Sequence, residues 1–378
     1  MKNEIISARI LICITVFPSL FSVIFALFGI KSYISLFAYG AGLLLLFGLN
    51  GHKKKTCYDI FFLYLYLFYF LFSISYSISK LTSVDKFVGM IYNTLLPLGL
   101  ILYLERYKMN FHKVEFLFLK KVKNLSFYIL FLFLFFMLIG LTEKGDTFEG
   151  RDTIIGMRNA IWFSRFVGFL VLANIIVIYR ERKIASLDVI ILLLAAYLMI
   201  RSGSRGPILS ILLVVIFMMF PKMKTRYKLF SLLVVLILYE AFVAYSSRNI
   251  LGDEDYSGIA RIEMYNKVFD IKSISLKGTG IGGFSQFMNG VDVLSYPHNI
   301  ILETYVEIGL IGISLFMLLL IALFRKMDLN SVSFMFCLYF FFNALVSGDI
   351  NGNNYFFIFA ALILHQSKAA KQQIVVKK

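Results

Sequence analysis

The sequence predicts an all-α polytopic membrane protein, on three observations. Of its 378 residues, 60% are hydrophobic and 16% are charged, whereas soluble domains average about 45–50% apolar and about 25% charged residues. Several apolar runs exceed the ~18 residues that indicate a membrane span. The formal net charge of +16 lies in short clusters between these runs, a pattern typical of topology signals and lipid contacts rather than of nucleic-acid binding.

We predict twelve membrane spans within a single integral membrane domain, residues 1–378. The first is expected to be an uncleaved anchor, because it lacks a small-residue cleavage site. The eighth and twelfth are short for a ~30 Å hydrocarbon core and are expected to tilt or to be extended by polar neighbours. In chain order, the spans fall at about residues 10–29, 33–49, 57–79, 87–104, 125–142, 159–179, 184–200, 206–220, 228–246, 298–323, 331–347 and 353–366.

The distribution of lysine and arginine selects one orientation of these spans. If the N-terminus is cytoplasmic, basic clusters at residues 53–55, the loop 106–123 and the tail 368–378 all lie on the cytoplasmic side, as the positive-inside rule requires. Both termini are then cytoplasmic. The segment 247–297, between spans 9 and 10, becomes a periplasmic loop of ~50 residues, a length typical of functional loops and lids.

Two arginines flank the turn between the seventh and eighth spans on the predicted outer side. Ser204 can cap the new helix, and Pro207 fits its first turn. The positive end of that helix, together with Arg201 and Arg205, would form an anion site suited to a diphosphate. The alternative is that both arginines mark the membrane boundary or reach to lipid headgroups.

Arg158, Trp162 and Arg165 share one face of the sixth span because they are spaced by four and then three residues. Arg165 falls deep enough in the span to require a protein-lined or water-filled environment. We predict that it pairs with Glu240, which lies at a similar depth in its own span. This pair could serve the membrane structure or the substrate equally well.

The long loop carries Arg261 and Tyr265 on an amphipathic stretch, followed by a glycine cluster at residues 278–283. Closely spaced glycines, here including Gly280 and Gly282, let the backbone approach a ligand or another chain segment. No nucleotide-binding βα unit surrounds them, so a turn is the simpler interpretation.

The segment 296–299 ends this loop and starts the tenth span. Asn299, Glu303 and Glu307 form one stripe of that helix, whereas His298 and Glu303 lie about 140° apart around its axis. A helix N-terminus favours neutral imidazole, so His298 could take a proton from an attacking hydroxyl. A structural histidine at the membrane interface is the alternative.

Together these features resemble the O-antigen ligase/polymerase superfamily, integral membrane glycosyltransferases of the C type. The resemblance covers roughly residues 200–320, and the first 150 residues agree only in being apolar spans. The matching motifs are the turn Ser204-Arg205-Gly206, Arg261 with Tyr265, the loop Gly278–Phe284, Tyr296-Pro297-His298-Asn299, Leu302-Glu303 and Glu307-Ile308-Gly309-Leu310-Ile311-Gly312.

The resemblance implies a GT-C-like fold and an enzyme of the bacterial inner membrane with a periplasmic active site. It implies transfer of a glycan from undecaprenyl diphosphate to an acceptor hydroxyl, without metal or other cofactor. Donor and acceptor would be undecaprenyl-diphosphate-linked oligosaccharides. A chain-length regulator and a flippase would be further partners, with membrane lipid around the chain and no nucleic acid.

In the ligases, arginines matching Arg205 and Arg261 are proposed to hold the diphosphate, and the histidine matching His298 to activate the acceptor. The predicted catalytic residues are His298, Arg205, Arg261 and Glu303. The predicted substrate-binding residues are Arg201, Arg158, Arg165, Asn299, Tyr296, Tyr265, Gly280 and Gly282.

Within the superfamily, the short Tyr-Pro-His-Asn form with Glu303 and the modest loop favour a polymerase of surface polysaccharide. The alternative is an O-antigen ligase that joins the glycan to lipid A–core. A flippase or transporter is the competing class outside the superfamily. The sequence shows no repeated halves, and its charges cluster at the outer side instead of the midplane, which argues against transport.

Overall fold

The computed structural model describes residues 2–27, 60–105, 110–144, 152–154, 160–220, 263–268, 276–293 and 295–365. These residues are helical apart from their loops and one antiparallel hairpin, in which β1 (Thr142–Lys144) pairs with β2 (Asp152–Ile154). The all-α prediction is confirmed. The predicted spans at 33–49 and 228–246 lie outside the described residues.

Most of the described helices follow the apolar runs. Their bounds are α1 (Lys2–Thr15), α2 (Phe17–Ala26), α3 (Phe61–Phe72), α4 (Leu81–Met90), α5 (Leu96–Glu105), α6 (Phe111–Leu138), α7 (Ala160–Glu181), α8 (Ser186–Ser202), α9 (Arg205–Met219), α10 (263–268), α11 (Phe284–Asn289), α12 (Ile300–Arg325), α13 (Val332–Val346) and α14 (Asn354–His365). However, α1, α4 and α6 begin before the predicted spans. A 3₁₀ turn (Ser73–Tyr76) follows α3, a π turn (Ile91–Leu95) joins α4 to α5, and a 3₁₀ turn (Asn351–Asn353) precedes α14.

Four of these elements are long and apolar enough to cross a membrane: Leu81–Leu104, α6, α7 and α12. A fifth joins them if α1 and α2, bent by 48°, form one span. Shorter apolar helices cover Phe61–Tyr76, Arg205–Met219 and Val332–Val346. The chain is therefore a multi-pass membrane protein, and the count of twelve spans stays a prediction.

Helix α6 begins at Phe111, whereas the sequence predicted a cytoplasmic loop over residues 106–123. At ~1.5 Å per residue its 28 residues extend ~42 Å, which is longer than the ~30 Å hydrocarbon core. The helix is therefore longer than one membrane span requires, and its charged first half is helical. There Lys123 contacts the buried Asp188 at 2.7 Å. The prediction from hydropathy stopped at the charged residues before position 125, whereas the helical hydrogen bonds of α6 continue through them.

The chain divides into two compact units. The first comprises Met1–Leu49, Phe111–Asp255 and Leu329–Tyr339, and the second comprises Asn50–Asn110, Tyr256–Asp328 and Phe340–Lys378. In the first, α6, α7 and α8 pack on one another, and α1 and α9 add to them. Aromatic rings fill this core. The ring centroids of Phe169 and Phe336 lie 4.7 Å apart, and those of Phe133 and Phe163 lie 5.4 Å apart.

The second unit is built around α12. Helix α3 packs along it, and the buried hydroxyl of Tyr66 shares a 3.0 Å hydrogen bond with Thr304 of α12. Helix α14 contacts α5, α12 and the π turn. The described parts of the long loop also pack here, because Val268 of α10 and Phe284 of α11 form an apolar cluster with Val306. This unit positions the predicted histidine.

Candidate functional site

His298 lies immediately before α12, in a left-handed backbone conformation with φ of 56°. Non-glycine residues adopt this conformation uncommonly, and histidine is among the more tolerant types. Its half-buried ring packs edge-on against Tyr296, with 4.7 Å between ring centroids. The backbone turn and the tyrosine together hold the imidazole at the start of the helix.

Asn299 is the N-cap of α12. Its side-chain Oδ1 accepts hydrogen bonds from the backbone N–H groups of Ile301 at 2.9 Å and Leu302 at 3.2 Å. An N-cap satisfies N–H groups that have no partner within the helix. The structure thus gives Asn299 a local role in starting α12, and its predicted contact with substrate stays a prediction.

Glu303 and Glu307 converge on a lysine from another helix. The Nζ of Lys86, on α4, lies 2.5 Å from Oε1 of Glu303 and 2.6 Å from Oε1 of Glu307. The lysine side chain is 2% exposed, and both glutamates are fully buried. The Oε2 of Glu303 accepts a 2.8 Å hydrogen bond from the backbone N–H of Ile350. Both oxygens of Glu303 therefore have partners inside the protein.

Residues 276–283, here called the glycine loop, run against a break in α12. At Gly309 the backbone turns to φ 65° and ψ −161°, a conformation essentially restricted to glycine. The carbonyls of Val306 and Glu307 accept hydrogen bonds from the N–H groups of Thr279 at 3.0 Å and Gly280 at 2.7 Å. The α12 helix is therefore two half-helices, with the loop's backbone bonded into the break.

The other side of the glycine loop faces the entry to α4. A Cβ on Gly280 would lie 2.3 Å from Cα of Ser77, and a Cβ on Gly282 would lie 2.7 Å from the backbone of Thr82 and Ser83. These glycines thus approach another chain segment, one of the two options that the sequence left open. A further contact with substrate stays a prediction.

Asp292 caps α4 from the loop that leads to His298. Its Oδ2 accepts hydrogen bonds from the N–H groups of Lys80 at 2.8 Å and Leu81 at 2.9 Å. Its Oδ1 accepts hydrogen bonds from the hydroxyls of Ser79 at 2.5 Å and Thr82 at 2.8 Å. Hydrogen bonds from Ser79 and the backbone of Leu81 hold the pKa of the Asp292 carboxyl well below its usual range.

We expect Asp292→Asn to lower the thermal stability of the purified protein at neutral pH, because an amide NH₂ would face N–H donors. A depressed folded-state pKa stabilises the protein above the unfolded-state value of ~3.9. The stability difference between wild type and variant should thus narrow as pH falls below ~4 and onward through the lower folded-state pKa. Thermal unfolding followed by circular dichroism between neutral and acidic pH measures it. Asp85→Asn, at an exposed position on the capped helix α4, is the control. An equal loss of stability there would contradict the capping role.

In the first unit, Arg201 and Arg205 flank the tight turn between α8 and α9. Gly203 ends α8 with φ of 61°, and Ser204 is the N-cap of α9 through its backbone, without a side-chain hydrogen bond to the helix. Arg205 is the first residue of α9 and is half-buried, whereas Arg201 is exposed. The predicted combination of a helix N-terminus with adjacent arginine is present at Arg205.

Arg165 is 3% exposed within α7. Its guanidinium lies 5.0 Å from the centroid of the Trp162 ring, so these two residues share a face as predicted. The hydroxyl of Tyr339 donates a 2.9 Å hydrogen bond to the Arg165 carbonyl. Arg158 and Glu240 lie outside the described residues, so the Arg165–Glu240 pair stays a prediction.

Arg261 also lies outside the described residues. Tyr265 lies on α10, half-buried, next to Met264, which packs on the cluster of Val268 and Phe284. The described part of the long loop is thus anchored to α12.

Among the described residues, no group of three or more His, Cys, Asp or Glu side chains is arranged to hold a metal ion.

Sequence reasoning missed Lys86 and Asp292. Lys86 immediately precedes the predicted fourth span and has no place in the positive-inside pattern. A lysine on the predicted outer side, facing a span with two glutamates, could have suggested an intramembrane pair. Asp292 gave no signal, because its partners lie some 210 residues away in the chain.

Comparison with known families identifies one region of the chain. Residues 190–317 match a family model described as O-antigen ligase. The matched region includes α9 with Arg205, the glycine loop, His298 and the first half of α12. A search of curated proteins finds no match.

Proposed function

We propose that this chain transfers a glycan from a polyprenyl-diphosphate carrier to an acceptor hydroxyl, because residues 190–317 match a family model described as O-antigen ligase. The observation that carries the proposal is the occurrence, within the matched region, of both Arg205 at a helix N-terminus and His298 at the start of α12. The anion-binding and proton-accepting chemistry thus falls where the family signature lies.

We assign Arg205 to the diphosphate. The first N–H groups of α9 have no partner within the helix, and the helix dipole is positive at this end. A guanidinium beside such a terminus favours the negative charge that grows on a departing diphosphate. Stabilising this leaving group is the main electrostatic task of the reaction. Arg261 takes the same role by the family resemblance.

We assign His298 to the acceptor. A neutral imidazole can take the proton of the attacking hydroxyl as the new glycosidic bond forms at the anomeric carbon and the bond to the diphosphate oxygen breaks. The half-buried ring, held by Tyr296 and by its backbone turn, is preorganised for this transfer. Neither role requires a nucleotide sugar.

We propose polymerisation of undecaprenyl-diphosphate-linked repeat units as the specific reaction, because the modest loop and the short Tyr-Pro-His-Asn motif resemble the polymerases. The enzyme would act at the periplasmic face of a bacterial inner membrane, with both termini cytoplasmic. Ligation of the glycan to lipid A–core is the second candidate, favoured by the match to an O-antigen ligase family model.

Lipopolysaccharide banding separates these reactions. We expect a null strain to carry core capped with one repeat unit if the protein is a polymerase, and uncapped core with lipid-linked polymer if it is a ligase. Wild type should restore long chains. His298→Ala, present at equal abundance in the membrane, should restore none because the acceptor proton has no base.

His112→Ala is the matched control, since this histidine is 38% exposed on α6. It should restore full banding. Normal banding with His298→Ala would overturn the proposed role of His298. A null strain that accumulates only repeat units facing the cytoplasm would indicate a flippase instead.

A further inference from the structure

The segment that carries His298 is attached on both sides to the same helix. Before the histidine, Asp292 caps the N-terminus of α4 at Lys80 and Leu81. After it, Glu303 and Glu307 contact Lys86, farther along α4. Helix α4 lies outside the region that matches the family model. A helix outside the matched region thus supports His298, which lies within it.

The break at Gly309 makes this attachment important. A continuous helix would transmit the position of its second half to its first turn through its own hydrogen bonds. In α12 those bonds are interrupted, because the carbonyls of Val306 and Glu307 bond to the glycine loop. The first half-helix therefore depends on lateral contacts for its position.

Among the described residues, the shortest lateral polar contacts of this half-helix are those of Lys86. Its two ion pairs of 2.5 and 2.6 Å are charge-assisted hydrogen bonds, which are stronger than neutral ones. The hydroxyl pair of Tyr66 and Thr304, at 3.0 Å, is neutral. Lys86 bridges two successive turns of α12 at once, so it restrains rotation as well as displacement.

We propose that Lys86 is a positioning residue for His298. By bridging Glu303 and Glu307 it fixes the first half of α12, and with it the direction of the imidazole at the start of that helix. This inference rests on the proposed transferase function for its catalytic meaning, but its geometric part is independent of activity. It also places Glu303 in the support of His298 through Lys86 and Ile350.

The cluster's charge suggests how the variants will behave. One ammonium faces two carboxylates in a buried site, so removing the cation strands two negative charges, which is strongly destabilising. Lys86→Arg keeps the cation and can bridge both carboxylates. Replacing Lys86 by Met together with Glu303→Gln and Glu307→Gln removes the charges without stranding any.

The test measures the chemical reactivity of His298 directly. Purified wild type and variants are treated with diethyl pyrocarbonate, and modification of each histidine is followed by peptide mass spectrometry. We expect Lys86→Met to raise the modification rate of His298 several-fold, while the rate at His112, in the other unit, stays unchanged. In the Lys86→Arg variant the modification rate of His298 should be close to that of wild type. Lys80→Met, at an exposed position, should leave the modification rate of His298 unchanged.

Turnover of lipid-linked repeat units gives the catalytic readout. A misplaced base should lower kcat by on the order of 100-fold with little change in KM for the donor. A merely destabilised enzyme would instead raise the reactivity of His112 as well. If Lys86→Met unfolds in this way, the triple variant with Glu303→Gln and Glu307→Gln is tested for His298 reactivity alone.

An unchanged His298 rate in a folded variant without Lys86 would overturn the inference, whatever the activity. A changed rate together with inactive wild-type protein would leave the positioning intact and refute the proposed function. The two failures are therefore distinguishable.

Discussion

Gly280→Ala is expected to prevent accumulation of folded protein. The residue has φ of +86°, and its Cβ would lie 2.3 Å from Cα and 2.7 Å from N of Ser77. The left-handed conformation alone costs a non-glycine residue roughly 1–2 kcal/mol. Because the clash is with backbone atoms, no side-chain rotation relieves it. We expect the free energy of unfolding to fall by more than ~4 kcal/mol in total. Detergent-extracted yield and the thermal unfolding midpoint measure this loss.

Gly290→Ala is the matched control. It shares the left-handed backbone, with φ of +71°, but its Cβ would meet no atom within 4 Å. This variant should lose only the roughly 1–2 kcal/mol of stability that the left-handed backbone costs a non-glycine residue, and it should remain folded. Equal behaviour of the two variants would show that the close approach at Ser77 does not matter. Normal folding of Gly280→Ala with loss of donor binding would instead support the predicted contact of Gly280 with substrate.

Much of the helical architecture follows from apolar run length. Span 159–179 was predicted where α7 covers Ala160–Glu181, and span 298–323 where α12 covers Ile300–Arg325. Hydropathy works here because a backbone in lipid must satisfy its own hydrogen bonds, which a helix does locally. It failed at the start of α6, where the helix leaves the apolar region and continues through charged residues.

The site was predictable in its residue types and less so in its contacts. The polar stripe of Asn299, Glu303 and Glu307 was visible from helical spacing. The contacts of these side chains could not be predicted from that spacing. Asn299 caps its own helix, and both glutamates form ion pairs with Lys86. Such partners lie more than 200 residues apart in the chain, and no local pattern encodes them.

The break in α12 shows the same limit. A glycine within a predicted span is tolerated in a helix at a cost of ~1 kcal/mol relative to alanine, so Gly309 alone does not predict an interruption. The interruption becomes stable because the glycine loop supplies replacement partners. Its Leu276 carbonyl accepts the N–H of Ile311 at 3.1 Å, and the N–H groups of Thr279 and Gly280 satisfy the freed carbonyls.

Gly309→Ala should therefore shift α12 toward a continuous helix and release the glycine loop. Alanine disfavours φ 65°, ψ −161° by ~1–3 kcal/mol and favours helix. In a closed helix the carbonyl of Glu307 would take the N–H of Ile311, so Leu276 and Gly280 would lose their partners. We expect faster hydrogen exchange at residues 276–283 and loss of glycan transfer, because the half-helix that begins after His298 changes direction.

Gly99→Ala is the control for a glycine-to-alanine change within a membrane span. Gly99 lies in α5, and a Cβ there would meet nothing within 4 Å. This variant should keep wild-type exchange and activity, with stability unchanged or higher by up to ~1 kcal/mol. If Gly309→Ala behaved like Gly99→Ala, the break would not be needed for loop docking, and the dependence of the first half-helix on Lys86 would lose its physical basis.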